Sequence, residues 1–296
     1  MSNIDFGLML RMYDSKMQAQ ELLDYNAACI ERLAWGFTTL WFEDHLQWGD
    51  GDVLESLTTL SYFAGHYPTF RLGTLVLDQS YRNPALLAKM MANLQLLSKG
   101  RCILGIGAGW KEDEYHAYGY AYPDTKTRME QLEEVVAILR AMWMSSPATF
   151  QGKYHSIQNA YCEPPPIPLI PLLIGGGGEQ RTLRIVAKYA DWWNFNSCPV
   201  EEYAHKVDVL RRHCEEIGRD MEEIKLTYLA TVSVSEDPEK VLRHPEKHYV
   251  AGNADEVTRE IEQFAQLGVT HFMFRMPDLQ TLEHFVEAVV PRFREG

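Results

Sequence analysis

Strand-like and helix-like segments alternate along this 296-residue chain from residue 4 to residue 275. That alternation constrains the fold more than any single motif. A repeated strand–helix–strand unit puts helices outside a parallel sheet. Strand candidates fall at residues 4–10, 38–42, 70–77, 101–107, 172–175, 191–194, 224–234 and 271–275. Between the first two, Leu23, Ala27, Ile30, Leu33 and Ala34 recur at helical spacing, and Gly36 ends the run. A second helix is expected at 53–64, and a third opens at Pro84, where a missing N–H costs nothing. A long helix over 128–143 presents Leu132, Val135, Val136, Leu139 and Trp143 on one side.

The alternation pauses at residues 145–171, which hold Gly152 and Pro147, Pro164, Pro165, Pro166 and Pro168. Residues 149–154 read as a hairpin and the proline run as an extended linker. Because alternation resumes afterwards, this is an insertion that shapes the entrance, not a domain boundary. No repeat of 20–50 residues is present. Eight strands alternating with helices favour a (β/α)8 TIM barrel over an open sheet.

Composition narrows the function. Hydrophobic residues make up 46% of the chain, enough for a large core. The formal charge is −13, and no Lys/Arg run offsets it, so nucleic acid and anionic membranes are not expected partners. The N-terminus lacks a basic region followed by an apolar stretch, so no signal peptide is expected. No run approaches 18 apolar residues, so no membrane span is expected. Cys29, Cys102, Cys162, Cys198 and Cys214 are odd in number and form no C-x-x-C pair. Reduced thiols in a cytoplasmic protein are the simplest account.

In such a barrel, chemistry sits on the loops after the strands. Four segments stand out there. Trp41-Phe42-Glu43-Asp44-His45-Leu46-Gln47-Trp48 ends the second strand. His45 can give or take a proton near neutral pH. An isolated Asp-His pair equally reads as a hydrogen-bonded turn. His66 and His116 are scattered and fit no metal spacing, so no metal is expected. Leu72-Gly73-Thr74-Leu75-Val76 alone reads as a buried strand. Gly105-Ile106-Gly107-Ala108-Gly109-Trp110 lets backbone approach a flat ring or phosphate, but its G-x-G-x-G spacing is not the dinucleotide fingerprint. Gly175-Gly176-Gly177-Gly178 precedes a helix and suits a phosphate; the Lys-Ser/Thr pair of a Walker loop is missing.

In their order, these segments resemble the luciferase-like monooxygenase superfamily, especially its coenzyme F420-dependent branch. Arg128 to Glu133, the hairpin, and Ala190-Asp191-Trp192-Trp193-Asn194 match as well. The resemblance spans about residues 4–275, and it implies a single luciferase-like barrel domain over 1–296. It implies a cis peptide at Leu75–Val76 behind the cofactor ring. It places Asp44 and His45 beside the reactive ring, and Thr74, Leu75, Val76, Gly107, Ala108, Gly109 and Trp110 along the pocket. Gly175 and Gly176 lie on the phosphate loop, with Gly177 and Gly178 as its backbone donors. Sugar-phosphate dehydrogenases of the family carry a glutamate where Trp110 stands, and a lysine that Asn196-Ser197-Cys198-Pro199 lacks. Trp41, Trp48, Trp110 and Trp193 instead suggest an apolar pocket, with core packing accounting for at least half of them.

The expected function is hydride transfer between F420 and a small organic substrate. His45 would manage a proton, and Asp44 would orient the histidine or contact the ring. FMN with a monooxygenase activity is the alternative. A non-catalytic flavin-binding barrel is a reading of another class, and a metal-dependent barrel hydrolase comes last. A homodimer through the helices around 52–64 and 84–98 is expected, because Met90, Met91, Leu94 and Leu97 add to their apolar content, although packing on the barrel accounts for much of it.

Overall fold

A computed structural model describes residues 4–294 of the chain, which exclude Met1, Ser2, Asn3, Glu295 and Gly296. In chain order it runs β1 (Asp5–Met9), α1 (Ala19–Leu33), β2 (Thr39–Phe42), α2 (Ser56–His66), β3 (Arg71–Thr74), β4 (Leu77–Asp78), α3 (Pro84–Leu97) and β5 (Cys102–Gly107). Next come α4 (Glu112–Ala117), α5 (Thr125–Met144), β6 (Ala148–Gln151), β7 (Ser156–Ala160), β8 (Leu172–Gly175), α6 (Thr182–Tyr189), β9 (Trp192–Asn196) and α7 (Val200–Ile217). The chain finishes with β10 (Lys225–Val234), β11 (Tyr249–Gly252), α8 (Ala254–Gln266), β12 (Val269–Arg275) and α9 (Leu279–Ala288).

The parallel strands close in the order β10, β12, β1, β2, β3, β5, β8, β9 and back to β10. All eight expected strands form the wall, so the chain is a (β/α)8 barrel. The far half of β10 also pairs β11, a short strand that sequence reasoning did not find. One side chain from each wall position fills the interior: Met9, Trp41, Leu75, Ile103, Leu173, Trp192, Leu229 and Met273. Trp41 lies so close to Gly7 and Gly73 that a Cβ on either would sit 2.3 Å or less from its ring. Those two strand glycines therefore make room for the indole. Its Nε1 donates to His271 Nε2 at 3.2 Å.

Helix starts follow ordinary capping chemistry. Asn83 caps α3 just before Pro84, and Asp124 caps α5. Asn253 and Glu256 form a capping box on α8, and Gly218 ends α7 in the left-handed region.

Several boundaries differ from expectation. The third strand is not continuous over 70–77. It breaks into β3 and β4 around the Leu75–Val76 bond, which is cis as the resemblance implies. On α1 the buried residues are Leu22, Asn26, Cys29 and Ile30, one position away from the Leu23–Ala27 stripe. The polar Asn26 sits in that face because its side chain bonds both the N–H and the C=O of Arg11. The side chains of Leu33 and Ala34 lie outside the described residues. The second helix starts at Ser56, because the Glu55 carboxylate caps it.

The hairpin is longer than residues 149–154: β6 and β7 pair antiparallel over 148–160. Glu134 of α5 holds its turn by accepting from the N–H groups of Lys153, Tyr154 and His155. The insertion joins a helix end to a strand start, so it leaves from the face opposite the strand C-termini. It packs on α3 and α5, and none of residues 145–171 lines the central pocket. The expectation that it shapes the entrance is therefore corrected.

Candidate active site

The C-terminal ends of the strands surround a cavity of about 380 Å³. That size suits a small-molecule or cofactor site. The strand-two end contributes Glu43, Asp44 and His45, and the bulge between β3 and β4 contributes Leu75 and Val76. Gly107, Ala108, Gly109 and Trp110 follow β5; Gly175 and Gly176 follow β8. The predicted segments thus converge on one cavity, with exceptions.

Thr74 does not line it. The Thr74 hydroxyl donates to the Gly105 carbonyl at 2.8 Å and accepts from the Gly105 N–H at 2.9 Å, so it clamps β3 to β5. Gly177 and Gly178 stand just beyond the lining. Their N–H groups donate to no protein acceptor among the described residues. The loop carrying them is fixed from below: Gly176 N–H donates to the Asn194 carbonyl, and Trp193 Nε1 donates to the Gly176 carbonyl at 2.9 Å. Trp193 therefore supports the loop from the helix side, and Trp41 fills the barrel interior. Neither lines the pocket, whereas Trp110 does, and Trp48 packs 4.9 Å from the His45 ring.

The main correction concerns Asp44. It is buried, but its carboxylate is already committed. Arg82 grips both oxygens, at 2.7 and 2.9 Å, and the Asp78 N–H donates to Oδ2. Arg82 also pairs with Glu55, the cap of α2. Asp44 thus ties β2 to the starts of α2 and α3 and does not orient His45.

Glu114 does. This α4 residue is fully buried, and its carboxylate lies 3.0 and 3.1 Å from His45 Nδ1. Leu46 N–H and Gln47 N–H donate to the same carboxylate at 3.1 Å, and Tyr81 O–H at 2.8 Å. Burial pushes the Glu114 carboxyl up, but the bonds from His45, Gln47 and Tyr81 outweigh it and hold it below the usual range. A carboxylate with four donors stays ionised and accepts only.

A third buried carboxyl, Asp78, lies at the end of β4. Burial pushes it up to about 6, against hydrogen bonds from Tyr115 and Ser80. The Tyr115 hydroxyl sits 2.6 Å from its oxygens. Both groups crowd Gly109, where a Cβ would come within 2.1 Å of them and φ is +78°. Gly109 is thus required by the protein's own packing. At the opposite rim, Arg275 pairs with Glu43 at 2.7 Å.

Sequence reasoning missed Glu114, Asp78, Tyr81, Arg82 and the Glu43–Arg275 pair. Glu114 sits in the run Glu112-Asp113-Glu114, which reads as an exposed helix start. The signal for Arg82 was local: Tyr81-Arg82-Asn83-Pro84 places it in the turn that launches α3.

In this (β/α)8 barrel the bulged third strand, the histidine at the second strand end and the glycine loop before α6 converge on one cavity. Residues 5–269 match the luciferase-like monooxygenase family, and the chain belongs to that family. A relative from Kineococcus radiotolerans, an F420-dependent glucose-6-phosphate dehydrogenase, is 27% identical over 88% of this chain and 89% of its own. The fold matches an F420-dependent secondary alcohol dehydrogenase solved with an F420-acetone adduct, at TM-score 0.84 and 21% identity over 99% of this chain and all of that one. It also matches a monooxygenase from Streptomyces bottropensis, at TM-score 0.82 and 16% identity over 98% of this chain and all of that one.

Proposed function

We propose that this protein is an F420-dependent oxidoreductase that transfers a hydride between the deazaflavin and a small organic substrate. The observation that carries the reading is the buried His45–Glu114 pair, which opens on a cavity floored by the Leu75–Val76 bulge. The residues present fit the cofactor. Val76 and Ala108 offer an apolar floor and wall, and the free N–H groups of Gly177 and Gly178 suit its phosphate. When bound, the deazaflavin supplies a carbon that accepts or gives a hydride.

The chain's own groups manage the proton. Ionised Glu114 accepts only, so His45 Nδ1 carries the hydrogen between them, and Nε2 is left to face a substrate oxygen. In the oxidising direction Nε2 takes the hydroxyl proton, and Glu114 stabilises the resulting imidazolium. In the reducing direction the same nitrogen returns the proton. Asp44 and Arg82 hold the strand end that presents His45.

The test is equilibrium binding of F420 and FMN, each oxidised and reduced, followed by fluorescence. Tighter F420 binding, with turnover that falls in His45→Ala far more than cofactor affinity does, supports the proposal. Preference for reduced FMN with oxygen uptake replaces it with a monooxygenase.

Two further readings accompany this one. Tyr62, Leu86, Met90 and Leu97 leave apolar surface exposed on α2 and α3. A second copy covering that face makes a homodimer, which light scattering checks. All five cysteines are buried and unpaired, the observation behind placing the protein in the cytoplasm. Among the described residues no helix is long and apolar enough to cross a membrane.

A further inference from the structure

Trp110 is 64% exposed, yet its backbone is fixed. Its carbonyl accepts from Tyr122 O–H at 3.0 Å, and Asp78 and Tyr115 wedge Gly109 in place just before it. The Trp110 ring lies 5.8 Å from the His45 ring and 6.3 Å from Trp48, at 81° and 67°. Trp48 in turn packs edge-on against His45. The two indoles form a corner with the imidazole between them. A large ring held open to water on a rigid mount gains burial only when a ligand covers it.

Charge around the corner narrows the ligand. The pocket's Lys and Arg, Lys111 and Arg275, are paired with Asp113 and Glu43. Glu43, Asp44, Asp78 and Glu114 bring four carboxyl groups to the same lining. A phosphorylated substrate at this end would meet no unpaired Lys or Arg among the described lining residues.

We infer that Trp110 is a specificity-determining residue and that the substrate is an uncharged alcohol or carbonyl compound carrying an aryl ring. The inference rests on the hydride-transfer reading above. The ring of the substrate covers Trp110, with the reacting oxygen toward His45. In oxidation the hydroxyl proton passes to His45 Nε2. The adjacent C–H bond breaks, its electron pair leaves as hydride to oxidised F420, and the C=O bond forms. The alcohol loses two electrons and the deazaflavin gains them.

The test measures kcat/KM of the F420-loaded protein for 1-phenylethanol, 2-propanol and glucose 6-phosphate, in the natural protein, Trp110→Ala and Trp110→Phe. Acetophenone and acetone binding is read in parallel by calorimetry, which needs no turnover. The natural protein should favour 1-phenylethanol over 2-propanol by about tenfold or more, mainly through KM. Trp110→Ala should bring the ratio toward one, and Trp110→Phe should keep most of it. A ratio cancels any uniform loss from the substitution. An unchanged ratio in Trp110→Ala, or glucose 6-phosphate as the better substrate, overturns the inference and leaves the cofactor reading standing. Acetophenone binding that weakens about tenfold in Trp110→Ala without any F420 binding does the opposite: the cofactor reading falls and the role of Trp110 stands. Absence of both acetophenone binding and preference for 1-phenylethanol overturns the inference.

Discussion

Asp44 and Glu114 are both buried carboxylates beside the end of β2, but their partners differ in kind. Asp44 faces Arg82, a guanidinium with permanent charge, in a two-pronged pair. Glu114 faces His45, an imidazole that can hold or release a proton, and it collects three more donors from Leu46, Gln47 and Tyr81. A carboxylate locked to a permanent cation has no proton to manage and acts as a fastener. A carboxylate locked to an imidazole sets which nitrogen carries the proton and stabilises the cation that forms. The residue adjacent to His45 in sequence is the fastener; the one 69 positions away holds the imidazole.

The sharpest way to break this division is Glu114→Ala. Turnover should fall by roughly 10²-fold or more, the range a positioned acid–base group contributes, while F420 affinity changes little. Steady-state kinetics beside a fluorescence titration reads both. If Asp44→Asn lowers turnover more than Glu114→Ala does, with stability intact, the two roles are reversed.

Asp44→Asn should instead show in stability. It leaves Arg82 buried with one ion partner fewer, which costs about 3–5 kcal/mol in urea unfolding. Turnover of the protein that remains folded should fall much less than in Glu114→Ala.

The third carboxyl, Asp78, sharpens the comparison by pH. Its folded value of about 6 is above the ordinary value of 3.8, so between those limits the folded state binds more protons than the unfolded state. Stability contributed by this group is therefore present below pH 4 and lost as pH rises through 6. Asp78→Asn should remove that loss, on the order of 3 kcal/mol by pH 7. Urea melts at pH 4, 5.5 and 7 check the trend; a parallel offset at all three would contradict it. Glu114 has the opposite sign. Its value is lowered on folding, so its contribution is present at neutral pH and fades as pH falls through the folded value.

Tyr81→Phe should give the smallest effect. It removes one of four donors to Glu114 and leaves His45 in contact, so kcat should drop by less than about tenfold. A loss as large as that of Glu114→Ala would make Tyr81 part of the proton path instead.

Much of the molecule was legible in the order of residues. All eight wall strands were readable because barrel strands are apolar runs bounded by polar turns. Glycine segments 105–109 and 175–178 were readable because loops that approach a ligand or a crowded wall exclude side chains. His45 was readable because it stands at a strand end. The break after Thr74 came only through family resemblance, since Leu75-Val76-Leu77 continues the strand pattern without interruption. The buried face of α1 was misplaced by one position because Asn26 is polar and satisfied by the Arg11 backbone. Which of the four tryptophans pack in the core and which line the pocket was not readable, because composition carries no direction: Trp41 fills the barrel interior and Trp193 packs toward the helices.

The sequence by itself determined the alternation, the closed barrel it produces, the loops that meet at the strand ends, and the family. These follow from local periodicity and turn chemistry, which act over a few residues. Only the tertiary structure decided which carboxylate faces His45, that Asp44 pairs with Arg82, and that the insertion packs away from the pocket. Those outcomes depend on contacts between segments tens of residues apart. Barrel closure brings α4 over the end of β2, and no local pattern in Glu112-Asp113-Glu114 marks which carboxylate turns inward.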